Sequence, residues 1–271
     1  MCARRFSGDA MTAPHTETDS TQQFLDSMPE LKPGEKFQFA CHPGVACFNA
    51  CCSDLTMPLS PYDVLRLRQE TGQDSEGFIS TFARVETYPD TNFPILYMKM
   101  TDGPVRPCPF VSQAGCQVYP NRPAACRTYP LGRGTRVDAQ GRLVEQYFII
   151  AEQHCHGFAE EPVWTSEEWL QDQGLARYNY FGDRYTRLMG RAMETGLVLT
   201  QKQLTLCLLA LYEADRFGAF ISGVNLFARL NVSAQEQARI LEDEEARLEF
   251  GFDWTELVLF GDNERLQVVN P

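Results

Sequence analysis

The chain has 271 residues, 44% of them hydrophobic and 22% charged, which is enough to bury one large core or two modest ones. Its 36 Asp and Glu against 24 Lys and Arg leave a net charge of -12, which argues against general binding to nucleic acid or anionic lipid. There is no run of about eighteen uncharged apolar residues, as a membrane span needs, and residues 1–20 lack the apolar stretch of a secretory signal. A cytoplasmic location is therefore expected, and with it a reducing environment in which ten cysteines point to metal rather than to disulfides.

Residues 1–35 are rich in Ser, Thr, Asp, Pro and Gly, and are expected to form a disordered arm ending in the turn Lys32-Pro33-Gly34. Next comes FACHPGVACFNACC, which places Cys41, Cys47, Cys51 and Cys52 within twelve residues. Ser60-Pro61-Tyr62-Asp63 combines an N-cap serine, a proline at the first helical position and an acid in the first turn, predicting a helix to about Glu70 that ends at Gly72. A short helix over 75–83 and a strand over 96–100 follow.

Residues 106–134 carry Cys108, Cys116 and Cys126 among prolines at 107, 109, 120, 123 and 130, which forbid a long helix or a central strand. So long an irregular segment needs something besides a backbone ladder to hold it, and metal ligation would serve. Residues 135–138 and 142–150, separated by Ala139-Gln140-Gly141, predict a β-hairpin that leads into His154-Cys155-His156-Gly157.

From about residue 162 the pattern turns helical, with capping-box sequences at Thr165-x-x-Glu168, Thr200-x-x-Gln203 and Ser233-x-x-Glu236. Helices are expected over 165–172, 175–195, 200–216, 220–229 and 233–249, with the acidic run Glu242 to Glu245 on a solvated face. The expected fold class is α+β, and three parts follow from it. These are the arm over 1–35, a loop-rich metal-binding cysteine-cluster domain with its hairpin over 36–160, and an α-helical domain over 161–271.

Thiolates bind zinc tetrahedrally or iron in iron-sulfur clusters, four to a closed site, so the eight clustered cysteines suffice for two sites or for one with thiols to spare. The opening C-x5-C-x3-C-C matches neither zinc-ribbon nor ferredoxin spacing, and adjacent Cys51 and Cys52 are awkward ligands for one ion, because neighbouring side chains diverge along extended backbone. His42, His154 and His156 flank clustered cysteines and are candidate nitrogen ligands. Cys207, within LTLCLLALY, has the surroundings of a core residue, and Cys2 lies on the arm. Six arginines between Gly103 and Val144 face one acid, Asp138. They compensate thiolate charge or hold an anionic substrate, with Arg122 and Arg127 as donors around the centre. No nucleotide-binding loop, serine elbow or zinc-protease helix occurs.

C-x5-C-x3-CC, then CPFV-x4-CQVYPNRPAACRTYP, then CHG after a hairpin resembles the YkgJ-type cysteine-cluster proteins, described as zinc- or iron-chelating and often as iron-sulfur-cluster-containing. The likeness covers residues 39–157. It implies metal or cluster ligation by Cys41, Cys47, Cys51, Cys52, Cys108, Cys116, Cys126 and Cys155, although the first spacing is longer than the family's usual opening. More distant relatives include flagellin lysine N-methylases, which also follow the hairpin with Cys-x-Gly.

The expected function is a cytoplasmic metal-binding protein holding an iron-sulfur cluster, with [4Fe-4S] favoured. One alternative is a structural zinc module whose helical half binds a protein partner. Another is a protein lysine N-methyltransferase.

Overall fold

The computed structural model describes residues 30–138 and 140–269. Most of the expected arm, with Cys2, lies outside them. In chain order the first half holds β1 (Lys36–Gln38), β2 (Pro58–Leu59), α1 (Pro61–Thr71), α2 (Ser75–Phe82), β3 (Ala83–Thr87), β4 (Pro94–Met98), β5 (Val111–Ser112), β6 (Gly115–Cys116) and α3 (Ala124–Thr128). Then follow β7 (Leu131–Val137), β8 (Leu143–Ile149), β9 (Val163–Thr165), α4 (Ser166–Asp172), α5 (Ala176–Thr195), α6 (Gln201–Tyr212), α7 (Ala214–Gly223), α8 (Ala234–Glu242) and α9 (Glu244–Phe260). This is an α+β fold with a helical C-terminal half.

Contacts between residues divide the chain into two units that alternate along the sequence. Of the described residues, one contains 30–57, 100–119 and 123–177; the other contains 58–99, 120–122 and 178–269. The sequence places its boundary near residue 160, whereas the second unit takes its small sheet and first two helices from residues 58–99.

In the first unit the longest ladder is the antiparallel hairpin β7–β8, in register from Leu131 opposite Ile149 to Val137 opposite Leu143. Its first strand begins four residues before the expected Thr135, because Leu131 is itself a core residue at 2% exposure. Asp138 closes the turn by accepting the Arg142 backbone N–H at 2.9 Å. Strands β1 and β9 pair antiparallel, Phe37 opposite Trp164, and join distant parts of the chain. The core gathers Leu31, Phe37, Phe39, Leu131 and Trp169, with Tyr129, Phe158, Trp164 and Cys155 packed against it.

In the second unit, helix starts follow local chemistry closely. Ser60 and Asp63 exchange side-chain to backbone hydrogen bonds at 3.1 and 2.8 Å at the start of α1, and Gly72 ends that helix at φ +65°. Thr200 and Gln203 do the same for α6. At Ser233 only the forward half of the box forms, the Glu236 N–H reaching Ser233 Oγ at 3.2 Å, because the Glu236 carboxylate pairs with Arg239 instead. The helix expected over 233–249 is two helices. Asp243 is extended (φ -110°, ψ 119°), and its carboxylate accepts the Glu245 N–H at 2.8 Å to start α9. The acidic run thus spans a junction of helices, with Glu242 and Asp243 exposed as expected and Asp243 to Glu245 also starting α9. Its Glu244 pairs with Arg68, and Glu245 accepts the Tyr62 hydroxyl at 2.9 Å.

The second core joins Ala210, Phe217, Ile221, Phe250 and Trp254 from α6, α7 and α9. Cys207 is 1% exposed, and burial pushes its thiol up to about 12, so it is the inert core residue its neighbours in sequence suggest.

Helices α6 and α9 cross closely at Gly251, where an added Cβ would lie 2.3 Å from the Ala210 carbonyl oxygen. Gly251→Ala is therefore expected to lower stability by about 2 kcal/mol or more through overpacking. Gly182→Ala on α5, with nothing within 4 Å of the new methyl, should instead raise it by about 0.5–1 kcal/mol. Urea midpoints of the two variants check both signs.

Candidate metal centre

Phe39 is 2% exposed and carries the first thiol loop. Its ring meets Trp169, Tyr129 and Phe158 edge-on, at centroid distances of 5.6, 5.7 and 5.3 Å. Its backbone is held on both sides, its N–H donating to the Pro162 carbonyl at 2.9 Å and its carbonyl accepting the Trp164 indole N–H at 2.9 Å. The next residue, Ala40, donates to the Gly157 carbonyl at 3.0 Å. Two loops far apart in sequence are thereby sewn together, one entering Cys41 and the other leaving Cys155.

Gly157 is required by this contact, since a Cβ there would lie 2.6 Å from both the Ala40 carbonyl oxygen and the Phe39 ring. That is a physical reason for the Gly two residues after Cys155. After Cys41 the backbone runs through successive turns closed by Val45 N–H to His42 O, Phe48 to Val45, Ala50 to Cys47 and Cys52 to Asn49, all at 2.9–3.0 Å. Asn49 takes φ +68°, and its side-chain amide donates to the Ser112 carbonyl at 3.0 Å, fixing the loop to the β5–β6 hairpin.

These constraints place four thiols, Cys41, Cys47, Cys51 and Cys155, on the wall of one cavity of about 30 Å³. Phe39, Val45, Tyr129, His154 and Gly157 complete the lining. The His156 backbone N–H points to Cys47 Sγ at 3.1 Å, an arrangement that stabilises thiolate sulfur. The Tyr129 hydroxyl is buried in this wall without a hydrogen-bond partner. Burial first, then the neighbouring Cys155 thiol, raises its ionisation well above the ordinary tyrosine range.

The other four thiols follow from Cys52. Its carbonyl accepts the Cys108 N–H at 2.8 Å beside the bridge of Ser53 with Pro107. Cys116 faces Val111 in the β5–β6 pair, and the Val111 N–H in turn bonds the Cys108 carbonyl at 3.2 Å. Cys126, on the short helix α3, approaches Met57 Sδ at 3.9 Å. The vicinal thiols do not diverge as expected, because residues 50–52 form a turn rather than extended backbone. The neighbouring Cys52 thiol lowers Cys51 to about 7 against the opposing effect of burial. Cys51 in turn raises Cys52, with burial and the Cys126 and Cys108 thiols acting in the same direction. Cys108 is also raised, mainly by burial. The pair therefore stands between the two groups of thiols, its members shifted in opposite directions.

Of the flanking histidines, His42 is committed elsewhere. Its Nδ1 accepts the Gly44 N–H at 3.1 Å, so Nε2 carries the proton and faces Glu160 at 3.1 Å. His154 lines the cavity while its Nε2 lies 3.1 Å from Glu152. Among the basic residues, Arg106, Arg133 and Arg142 pair with Asp54, Glu145 and Asp138 at 2.7–3.0 Å, so carboxylates take charge that the sequence assigns to thiolates. Arg127 is buried and donates to the Gln173 carbonyl at 2.7 Å, at the end of α4, while Arg122 is buried within the second unit. Phe39, Trp164 and Trp169 have no cysteine beside them in sequence, except for Cys41 two residues after Phe39, and their part in holding the site shows only in three dimensions.

Among the described residues no three His, Cys, Asp or Glu side chains are gathered tightly enough to hold a metal ion as they stand. The four cavity thiols share one space rather than one coordination sphere. The donor set nonetheless fits a thiolate-bound metal in kind, since it combines four sulfurs lining one cavity, a backbone N–H aimed at one of them and a buried hydroxyl in the same wall.

A family model described as "Putative zinc- or iron-chelating domain" matches residues 40–156, a span that contains all eight clustered cysteines. Comparison with the curated proteins and with the solved structures gave no match.

Gly157→Ala tests the link between the two loops. It is expected to cost about 1–3 kcal/mol through overpacking and to lower metal per chain, measured by elemental analysis alongside thermal unfolding.

Proposed function

We propose that residues 40–156 form a metal-binding domain in which Cys41, Cys47, Cys51 and Cys155 hold an iron-sulfur cluster of the [4Fe-4S] type. The observation that carries this reading is that four thiols, and only those four of the nine described cysteines, line one aromatic-walled cavity. A cubane cluster needs one thiolate per iron, and an apolar, aromatic surround tunes its potential by limiting water. When bound, the cluster would supply electron-transfer or Lewis-acid chemistry. This chain's own part is to present the sulfurs, to donate the His156 N–H to Cys47, and to give the Tyr129 hydroxyl an acceptor in a Cys155 thiolate.

Cys52, Cys108, Cys116 and Cys126 form the second group of the eight proposed ligands, joined to the first through the Cys51–Cys52 pair. Arg127, in the same unit as the thiols, is an outer donor in this reading, and the compartment proposed is the cytoplasm, where these thiols stay reduced.

A second reading, structural zinc, is favoured by the size of the cavity. About 30 Å³ is only a few times the roughly 10–15 Å³ that a single water requires, and it suits one ion without large movement of the loops.

Iron, zinc and acid-labile sulfide per chain, measured on protein purified without oxygen, separate the readings. Near-equal iron and sulfide, about four of each, with a brown colour, are expected. Zinc without sulfide would replace the cluster by the structural ion. Cys155→Ser should remove most of the bound metal. Cys207→Ser should leave metal content unchanged and cost about 1–3 kcal/mol of stability for the buried hydroxyl. Equal metal in both variants would discard the ligand assignment.

A further inference from the structure

Away from the thiols, and wholly within the second unit, α5, α9 and the segment after α9 line an open cavity of about 280 Å³. That is close to the lower end of the range for small-molecule sites, roughly 300–1,000 Å³. Helix α5 contributes Tyr180, Arg184, Arg187 and Leu188, which fall on one face by their helical spacing. The apolar part of the lining is Phe252 and Leu188, exposed by 2% and 5%.

The charges around this cavity can be accounted for one by one. Asp253, 4% exposed, accepts from Arg184 Nη2 at 2.5 Å and pairs with Arg265 Nη1 at 3.2 Å. Arg184 is further tied to the Glu249 carbonyl at 3.0 Å and lies over the Phe252 ring at 5.0 Å. Glu256 accepts from Arg191 at 3.0 Å and from the Asn263 amide at 2.7 Å. Asn263 Oδ1 in turn accepts the backbone N–H groups of Arg265 and Leu266, both at 2.9 Å, so the 263–266 turn is held in place. Two lining charges remain, one of each sign. Arg187 and Glu264 have no ionic partner among the described residues and, although both line the cavity, do not pair with each other.

We infer that this cavity binds a small zwitterion of the amino-acid class, its carboxylate on Arg187, its ammonium on Glu264, and its apolar part over Leu188 and Phe252. A guanidinium can hold a carboxylate through two parallel hydrogen bonds, and a carboxylate can accept from an ammonium. A simple anion would leave Glu264 unanswered, and a simple cation would leave Arg187 so. Arg184 and Arg265 are balanced by Asp253 and Glu256 among the remaining lining charges, so both ends of the ligand are selected by the two unmatched groups. This inference is independent of the metal centre.

Isothermal titration calorimetry of the full chain, purified with whatever metal it carries, provides the test. The probes are L-leucine, 4-methylpentanoate, which lacks the amine, and 3-methylbutylamine, which lacks the carboxylate. Leucine should bind, and each fragment should bind roughly tenfold or more weakly, as loss of one charge-assisted contact implies. Arg187→Ala and Glu264→Ala, both at exposed positions, should fold normally by circular dichroism and each weaken leucine by a similar factor. Binding of 4-methylpentanoate as tightly as leucine would overturn the zwitterion in favour of a plain anion site. No saturable heat with leucine, glycine or L-phenylalanine up to about 10 mM, or leucine binding unchanged in both variants, would overturn the site itself.

Discussion

The thiol-bearing loops of this protein depend on one aromatic contact, the packing of Phe39 among Trp169, Tyr129 and Phe158. Each edge-on pair contributes about 0.5–1.5 kcal/mol beyond the burial of its surface, and three of them meet on one ring. Few backbone ladders hold these loops, since β5 and β6 have two residues each and Cys41 to Cys52 run through turns. Were Phe39 to leave its pocket, the Ala40–Gly157 hydrogen bond would lose its support, and with it the alignment of Cys41 with Cys155. Burial of apolar rings thus sets the position of the cysteine sulfurs.

That dependence explains why part of the molecule can be read from its sequence and part cannot. Helix ends are decided within four residues, so Ser60-Pro61 with Asp63, Gly72, and the Thr165 and Thr200 boxes all announce themselves. The density of cysteines announces a chelating domain for the same reason. The break at Asp243 stayed hidden because an acidic run on an amphipathic pattern looks the same whether it caps a helix or covers one. Asp243 was decided by backbone conformation, and its neighbours by Arg68 and Tyr62, more than 170 residues earlier in the chain.

The grouping of the thiols was hidden in a second way. Spacing lists Cys41, Cys47, Cys51 and Cys52 together, whereas the fold places Cys155 with the first three and ties Cys52 to Cys108. The expected divergence of Cys51 from Cys52 assumed extended backbone. A turn leads into the pair, and each thiol shifts the other's ionisation, so neighbours in sequence become the junction between groups. The arginine-rich stretch shows the same limit, because Glu145 and Asp54, which neutralise Arg133 and Arg106, stand outside the window in which the imbalance was counted.

The pairing of β1 with β9 also has a consequence in time. His156 follows Cys47 by 109 residues, and a ribosome adding about 5–20 residues per second takes roughly 5–20 s to cover that distance. Through that interval the first three cavity thiols have left the ribosome, or are leaving it, without their fourth companion and without β9. Contacts of such long range form late and slowly, since the entropy of closing the loop must be met before any packing rewards it. The nascent chain therefore passes through a stage in which its sulfurs are exposed and unsatisfied. The cavity they line is therefore assembled only after the first unit has closed.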